Sequence, residues 1–255
     1  MPPPAQEPGA DDSDVRILHW NIHSWRDESG ALNTGAVTEL IGRTNPHAVS
    51  LVEVDETWNT PMALSQIAAS CGYTWVFCPS FEYGDGESAG GFGNALLTRI
   101  LITAVQHWRL FSPARPYDRT EPTEPRSATL ARLTLTGTTF WVGSTHFPAE
   151  NPGDRAAAAG KLQQMIPRLD APWLICGDYN APPGSLFPGN PELQVSPPPQ
   201  ATYPASRPAR FIDYCITAPG ITAETIVLQA GGSDHLPVLA VVPLEQMRSG
   251  MPARA

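Results

Sequence analysis

Short apolar runs recur along this chain, and several of them meet an acid, an amide or a histidine at or beside their ends. Residues 15–20 (Val15, Ile17, Leu18 and Trp20 among them) read as a strand ending in Asn21. A loop with Asp27, Glu28 and Gly30 leads into 32–44, where Val37, Leu40 and Ile41 fall on one side of a helix that Pro46 stops. Residues 47–54 form the next strand and carry Glu53 at its end, and 62–71 predicts a second helix stopped by Gly72. A strand is expected over 73–78, followed by an acidic, glycine-rich loop over 79–91. Residues 92–98 and 101–110 predict a hairpin across Arg99-Ile100; 126–135 and 139–145 predict another across Gly137 that ends in His146. Between them lies a long connection, 111–125, crowded with proline and charge.

Asp154 is the expected cap of a third helix over 155–166, with Leu162, Met165 and Ile166 turned inward. A buried strand follows in Leu174-Ile175-Cys176-Gly177-Asp178-Tyr179-Asn180, then a proline-rich loop over 181–210 with little regular structure. Strands over 211–217, 221–228 and 236–243 complete the chain, which frays from about Glu245. So many hairpins do not suit a purely parallel sheet. The pattern predicts an α/β fold of two sheets packed face to face with helices outside, as one domain over 15–244 between tails at 1–14 and 245–255.

Composition narrows the class. A 42% hydrophobic content allows a substantial core, and a net charge of −9 argues against a protein that grips polyanions over a wide basic face. Arg109, Arg115, Arg119 and Arg126 could line one side of a groove, but Asp118, Glu121 and Glu124 stand among them. The four cysteines form no metal spacing. Cys176 and Cys215 lie in apolar runs and read as buried thiols, and a Cys71–Cys78 bond has no support. Trp58, Trp75, Trp108 and Trp141 fit core or strand positions. No apolar run has transmembrane length, and 1–14 lacks a basic-then-apolar leader, so a cytoplasmic protein is expected.

The chemistry lies where polar residues end strands. In extended backbone Asp178 and Asn180 project to one side, giving a carboxylate beside a carboxamide. Alone, that pair is either a polar turn or a site. Asn21, Glu53, His146, Asp213 and the triplet Ser233-Asp234-His235 repeat the placement, and strand ends on one rim converge on a common cleft.

Trp20-Asn21, Leu51-Val52-Glu53, Ser144-Thr145-His146, Gly177-Asp178-Tyr179-Asn180, Ile212-Asp213-Tyr214 and Ser233-Asp234-His235 resemble, in order, the signature blocks of the endonuclease/exonuclease/phosphatase superfamily. Residues 93–99 and 126–128 resemble internal blocks of many members. Val52 stands where a glutamine is common and Tyr179 where phenylalanine is, and neither change removes a reactive group. The resemblance implies a four-layered, deoxyribonuclease I-like α/β sandwich of two mainly antiparallel sheets flanked by helices. It also implies a metal-dependent hydrolase that cleaves a phosphoester by in-line attack of water.

The residue types suit that chemistry. Glu53 is a hard ligand for Mg²⁺ or Mn²⁺, with Asn21 and Asp234 as companions. Asp178 is the candidate water-activating base, and Asn180 a holder of a phosphoryl oxygen or of that water. His235, oriented by Asp213, is a donor to charge in the transition state, and His146 a second donor near the leaving group. His235 as base with His146 as acid is the other assignment; the first is preferred. Asn94 and Arg126 are candidate substrate contacts. The expected substrate is a small or lipid-like organic phosphate, monoester or diester. A nuclease with the same site is the alternative, and a non-catalytic binding module is disfavoured because no expected ligand is replaced.

Overall fold

The structure, a computed structural model, describes residues 13–57, 60, 62–83, 90–113 and 124–249. Trp58, Arg115, Asp118, Arg119, Glu121 and all but the last two residues of the expected N-terminal tail lie outside them. Twelve strands are described. β1 (Asp14–Asn21), β2 (Ala48–Glu56), β3 (Thr74–Tyr83), β4 (Gly90–Thr98), β11 (Glu224–Val227) and β12 (Val238–Pro243) form one sheet in the order β11-β12-β1-β2-β4-β3. β5 (Leu101–Phe111), β6 (Arg126–Leu135), β7 (Thr138–His146), β8 (Trp173–Asp178), β9 (Gln194–Ser196) and β10 (Asp213–Thr217) form the other, in the order β5-β6-β7-β8-β10-β9. Each sheet has one parallel pair at its centre, β1–β2 and β7–β8; the remaining pairs are antiparallel.

Alternation along β1 shows why the sheets stack. Val15 and Ile17 join a buried cluster with Leu130, Val142, Leu174 and Ile216 of the second sheet. Leu18 and Trp20 face the other way, onto Val37, Leu40 and Ile41 of α1 (Thr34–Thr44) and Leu64, Ile67 and Ala68 of α2 (Ala63–Cys71). α3 (Pro152–Met165) covers the second sheet through Ala158, Ala159 and Leu162. Each fully buried aliphatic side chain of this kind is worth about 1.5–3 kcal/mol. Four layers result, helix, sheet, sheet, helix, as the pattern predicted. Because a strand has period two, His19 and Asn21 continue the Val15–Ile17 face into the space between the sheets.

Four local expectations are corrected. β4 and β5 are not a hairpin: the two-residue corner at Arg99-Ile100 carries the chain from one sheet to the other. Thr98 Oγ1 holds that corner, donating to His47 O at 2.9 Å and accepting from Ile100 N at 2.9 Å. The cap of α3 is Asn151, whose side chain accepts from Gly153 N at 2.8 Å, while Asp154 lies in the first turn. Cys176 and Cys215, opposed in the β8–β10 register, are joined as a disulfide, and Cys71 and Cys78 are free. Finally, the chain continues past Glu245 as α4 (Leu244–Ser249), with Leu244 and Met247 buried. Trp108 and Trp141 are buried, whereas Trp75 on the edge strand β3 is 45% exposed. No helix among the described residues is long and apolar enough to cross a membrane.

Candidate active site

The parallel pairs deliver the polar residues. β1 and β2 run side by side, so Asn21 at the end of β1 pairs with Val52, next to Glu53 inside β2; β7 and β8 pair His146 with Asp178 in the second sheet. β10, antiparallel to β8, places Asp213 opposite Asp178. Glu53 sits at the bulge where the β2–β4 register shifts and has φ 58°, and Asn180 has φ 51°. Left-handed backbone at non-glycine residues costs on the order of 1–3 kcal/mol and here re-aims two side chains at the rim. Gly177 keeps β8 close to β7. A Cβ there would lie 2.4 Å from Thr145 O.

Seven of the ten candidate residues meet by direct contact. Asn21 Nδ2 donates to Glu53 Oε1 at 3.0 Å and to Asp178 Oδ2 at 3.1 Å. Asp178 Oδ1 accepts from Asn180 N at 2.9 Å, and Oδ2 lies 3.5 Å from His146 Nε2 and 3.7 Å from His235 Nε2. Asp213 Oδ2 accepts at 2.9 Å from His235 Nδ1. Asn180 Nδ2 donates to Phe147 O and to His146 Nε2, both at 3.1 Å. An amide nitrogen can only donate, so His146 Nε2 accepts and its ring proton is on Nδ1. That leaves Asn180 Oδ1 as the free end of the carboxamide among the described residues.

The other three stand apart. Asp234 Oδ1 lies 3.9 Å from His23 Nδ1 and 3.3 Å from Ser233 Oγ. Asn94 gives its amide to Ser127 O at 2.8 Å, and Arg126 Nη1 pairs with Glu124 Oε2 at 2.7 Å.

Burial and charge divide the titrating groups. For His235 burial alone would lower the pKa, but Asp213, and after it Asp178, push it up to about 10. For Asp213 burial is opposed by His235 and His19, which together hold it well below the carboxylate range. Asp178 is raised to about 7 by burial and by the Asp213 charge. His146 falls well below its ordinary value through burial, Arg126 and His235, and is neutral. The site therefore pairs an imidazolium with a carboxylate poised near neutrality, a proton donor beside a proton acceptor.

Four further residues support the site; Ser233 belongs to a triplet that the sequence already marks, and the other three carried little signal. His19 lies two residues before Asn21 on the same face; its Nε2 is 3.5 Å from Asp213 Oδ1, and its Nδ1 is 3.0 Å from Ser50 Oγ. Period two along β1 would have pointed to it. Thr202 donates through Oγ1 to Asp213 Oδ2 at 2.6 Å from a loop without regular pattern. Ser233 Oγ donates to Asn21 O at 2.6 Å and accepts from His235 N at 3.2 Å, fastening the 233–235 segment to β1. Glu124 occupies Arg126, and burial raises its carboxyl pKa.

A divalent cation fits these donors. Glu53, Asn21 and Asp234 offer oxygens, and a single amide nitrogen stands between the Glu53 and Asp178 carboxylates, where a cation would satisfy both. Asp178, Asp213 and His235 also bring ligand atoms within 4.8 Å of one another. There, however, His235 Nδ1 is already bonded to Asp213, which makes that trio a hydrogen-bonded array first.

Comparison with known proteins agrees with this geometry. The model of the endonuclease/exonuclease/phosphatase family matches residues 18–235, and the chain belongs to that family. It is a metal-dependent phosphoesterase. Among solved structures, an endonuclease/exonuclease/phosphatase family protein from Bacteroides thetaiotaomicron is similar with a TM-score of 0.72 at 16% identity, over 90% of this chain and 97% of that one. A mannosyl-6-phosphatase of the same organism gives 0.72 at 15% identity, over 89% and 98%. TDP2 of Caenorhabditis elegans, in truncated form, gives 0.65 at 14%, over 90% and 97%. These likenesses concern the fold. No curated protein matches the sequence significantly.

Proposed function

We propose that this phosphoesterase hydrolyses a small or lipid-like organic phosphate, as monoester or diester, with Mg²⁺ or Mn²⁺ held by Glu53 and Asn21 and with Asp234 nearby. The chemistry rests on one observation above the others: Asp178 Oδ2 lies 3.7 Å from His235 Nε2, the carboxyl raised to about 7 beside an imidazole raised to about 10. The cation, when bound, neutralises charge on the phosphoryl oxygens and the departing oxygen.

This chain's own residues do the rest. Asp178 takes the proton of the attacking water, and a pKa near the working pH makes it a better base than an ordinary carboxylate. Asn180 Oδ1 accepts the water's second hydrogen and so aims its lone pair, because Nδ2 is committed to Phe147 and His146. His235 donates from Nε2 to a non-bridging oxygen as negative charge grows there, and Asp213 keeps the ring oriented and protonated. His146 braces Asn180. Its acceptor Nε2 and low proton affinity speak against its acting as the acid, and the protonated state of His235 speaks against its acting as the base.

The small substrate is favoured by the charge around the site. Glu124 neutralises Arg126, which takes that arginine out of a nucleic-acid groove, and Asp27 and Glu28 line a cavity that reaches Ser233. The mannosyl-6-phosphatase with the same fold is an example of a small phosphate handled by this architecture. The test is turnover with Mg²⁺ or Mn²⁺, with and without chelator, of p-nitrophenyl phosphate, bis-p-nitrophenyl phosphate, plasmid DNA and single-stranded RNA. Chelator-sensitive cleavage of a p-nitrophenyl ester is expected. Efficient plasmid nicking with neither ester turned over would reject the small-phosphate reading for the nuclease one.

A further inference from the structure

Residues 202–210 fold into a small closed loop fastened to the reacting groups. Tyr203 and Arg210 form a β-bridge, with Arg210 N donating to Tyr203 O at 2.8 Å and Tyr203 N to Arg210 O at 3.2 Å. Thr202 Oγ1 holds Asp213, Leu236 N donates to Thr202 O at 2.8 Å, and Ala205 N donates to Asp234 O at 2.6 Å. The Tyr203 ring contacts the His235 imidazole, centroids 4.6 Å apart and tilted by 45°. Directly opposed residues of a bridge project to one face. The Arg210 guanidinium accordingly stands over the same ring, its Cζ 5.4 Å from the centroid.

Two features set Arg210 apart from an ordinary surface arginine. Its side chain is exposed, and among the described residues it makes neither an ion pair nor a side-chain hydrogen bond. Glu28, which meets this loop from the 27–30 turn, is engaged by Ser206 Oγ at 2.8 Å. Moreover, the tyrosine ring beneath it also contacts the imidazole of His235, so the guanidinium stands one ring away from that residue.

We infer that Tyr203 and Arg210 form a second anion subsite, one ring's width from the reaction centre, for a substrate that carries a further negative group (a carboxylate or another phosphate) near the scissile phosphoryl group. The inference rests on the proposed reaction at His235 and deepens it. The scissile group sits at His235, the organic part lies along Tyr203, and the second anion meets the guanidinium. A planar five-donor fork takes such a group in two hydrogen bonds. Arg207, on the same loop and exposed, adds to the local positive potential.

The experiment is calorimetric binding, with Mg²⁺ present, of benzylphosphonate and of 3- and 4-carboxybenzylphosphonate, non-hydrolysable probes differing by one carboxylate. The tighter carboxylated probe is expected to bind the unaltered protein about tenfold more strongly than benzylphosphonate, the size of one charge-assisted contact. Arg210→Ala brings that ratio below twofold, Arg210→Lys restores part of it, and Arg168→Ala, on an exposed arginine outside the site, leaves it intact. Equal affinity of the probes for the unaltered protein, or a ratio that survives Arg210→Ala, overturns the subsite while sparing the proposed reaction. Failure of every phosphonate to bind removes both.

Discussion

Replacing Asp213 by asparagine separates charge from shape. The carboxamide keeps an oxygen for Thr202 Oγ1, now 2.6 Å away, and a polar partner for His235, but removes the anion that, with Asp178, holds the imidazole at about 10. At pH 8.5 a group of about 10 is about 97% protonated, and one returned to the ordinary value of about 6.5 is about 1% protonated. Burial then lowers the imidazole's proton affinity with chiefly Asp178 left to oppose it, so the protonated share at pH 8.5 drops to a few per cent or less and activity there falls roughly tenfold or more. At lower pH the imidazole regains its proton and the loss shrinks. The acidic limb moves as well: Asp213 is, after burial, the main influence raising Asp178 to about 7, so its removal shifts that limb downward. The assay is kcat against pH from 5 to 10.5 for both proteins, with metal saturating at each point. Both limbs should move to lower pH. A uniform loss at every pH, or a basic limb left in place, would refute the view that Asp213 acts through the proton on His235.

Other expectations follow from the same geometry. Asp178→Asn should lower kcat by about 10²–10⁴-fold, the range for a lost general base. It should also stabilise the fold at pH 8. Because the folded pKa of about 7 exceeds the ordinary 3.8, the folded state binds the proton more tightly, and wild-type stability falls as pH rises through that window by on the order of a few kcal/mol. Urea unfolding at pH 5 and 8 should show the slope in the wild type and a flattened one in the variant. Glu53→Gln should remove most of the rise in melting temperature that Mg²⁺ produces, read by calorimetry without substrate. Thiol titration of the denatured, unreduced protein should count two cysteines, and four after reduction, since Cys176 and Cys215 are joined. Gly177→Ala should cost several-fold in activity and lower the unfolding midpoint, because its methyl group would meet Thr145 O.

The strands were legible where burial on both faces leaves no choice of residue. Ile17, Leu51, Val142 and Ile175 announce central strands whatever surrounds them, and the polar residues that end those runs were legible for the same reason. Which strands pair was not. Arg99-Ile100 has the length of a hairpin turn, and only the bonds from Thr98 to His47 and Ile100 turn it into a corner between sheets. The disulfide was hidden because two cysteines in apolar runs become neighbours only through the β8–β10 register. Asn151 was readable after all: Pro152 at the first helical position marks the residue before it as the cap. Thr202, Tyr203 and Arg210 lie in a stretch with no period, so their place beside Asp213 and His235 comes from tertiary contacts alone.

The second sheet is one continuous stretch of chain, β5 to β10, whereas the first is assembled from both ends: β1 is flanked by β2 on one side and by β12 on the other. A growing polypeptide can therefore finish the second sheet while the first still has an open edge at β1. His235, just ahead of β12, is the last of the reacting groups to be made. Under the proposed reaction, the nascent chain would stay inactive until that segment is made and β12 closes the gap. A product truncated before residue 234 would carry Glu53 and Asp178 but lack both Asp234 and His235.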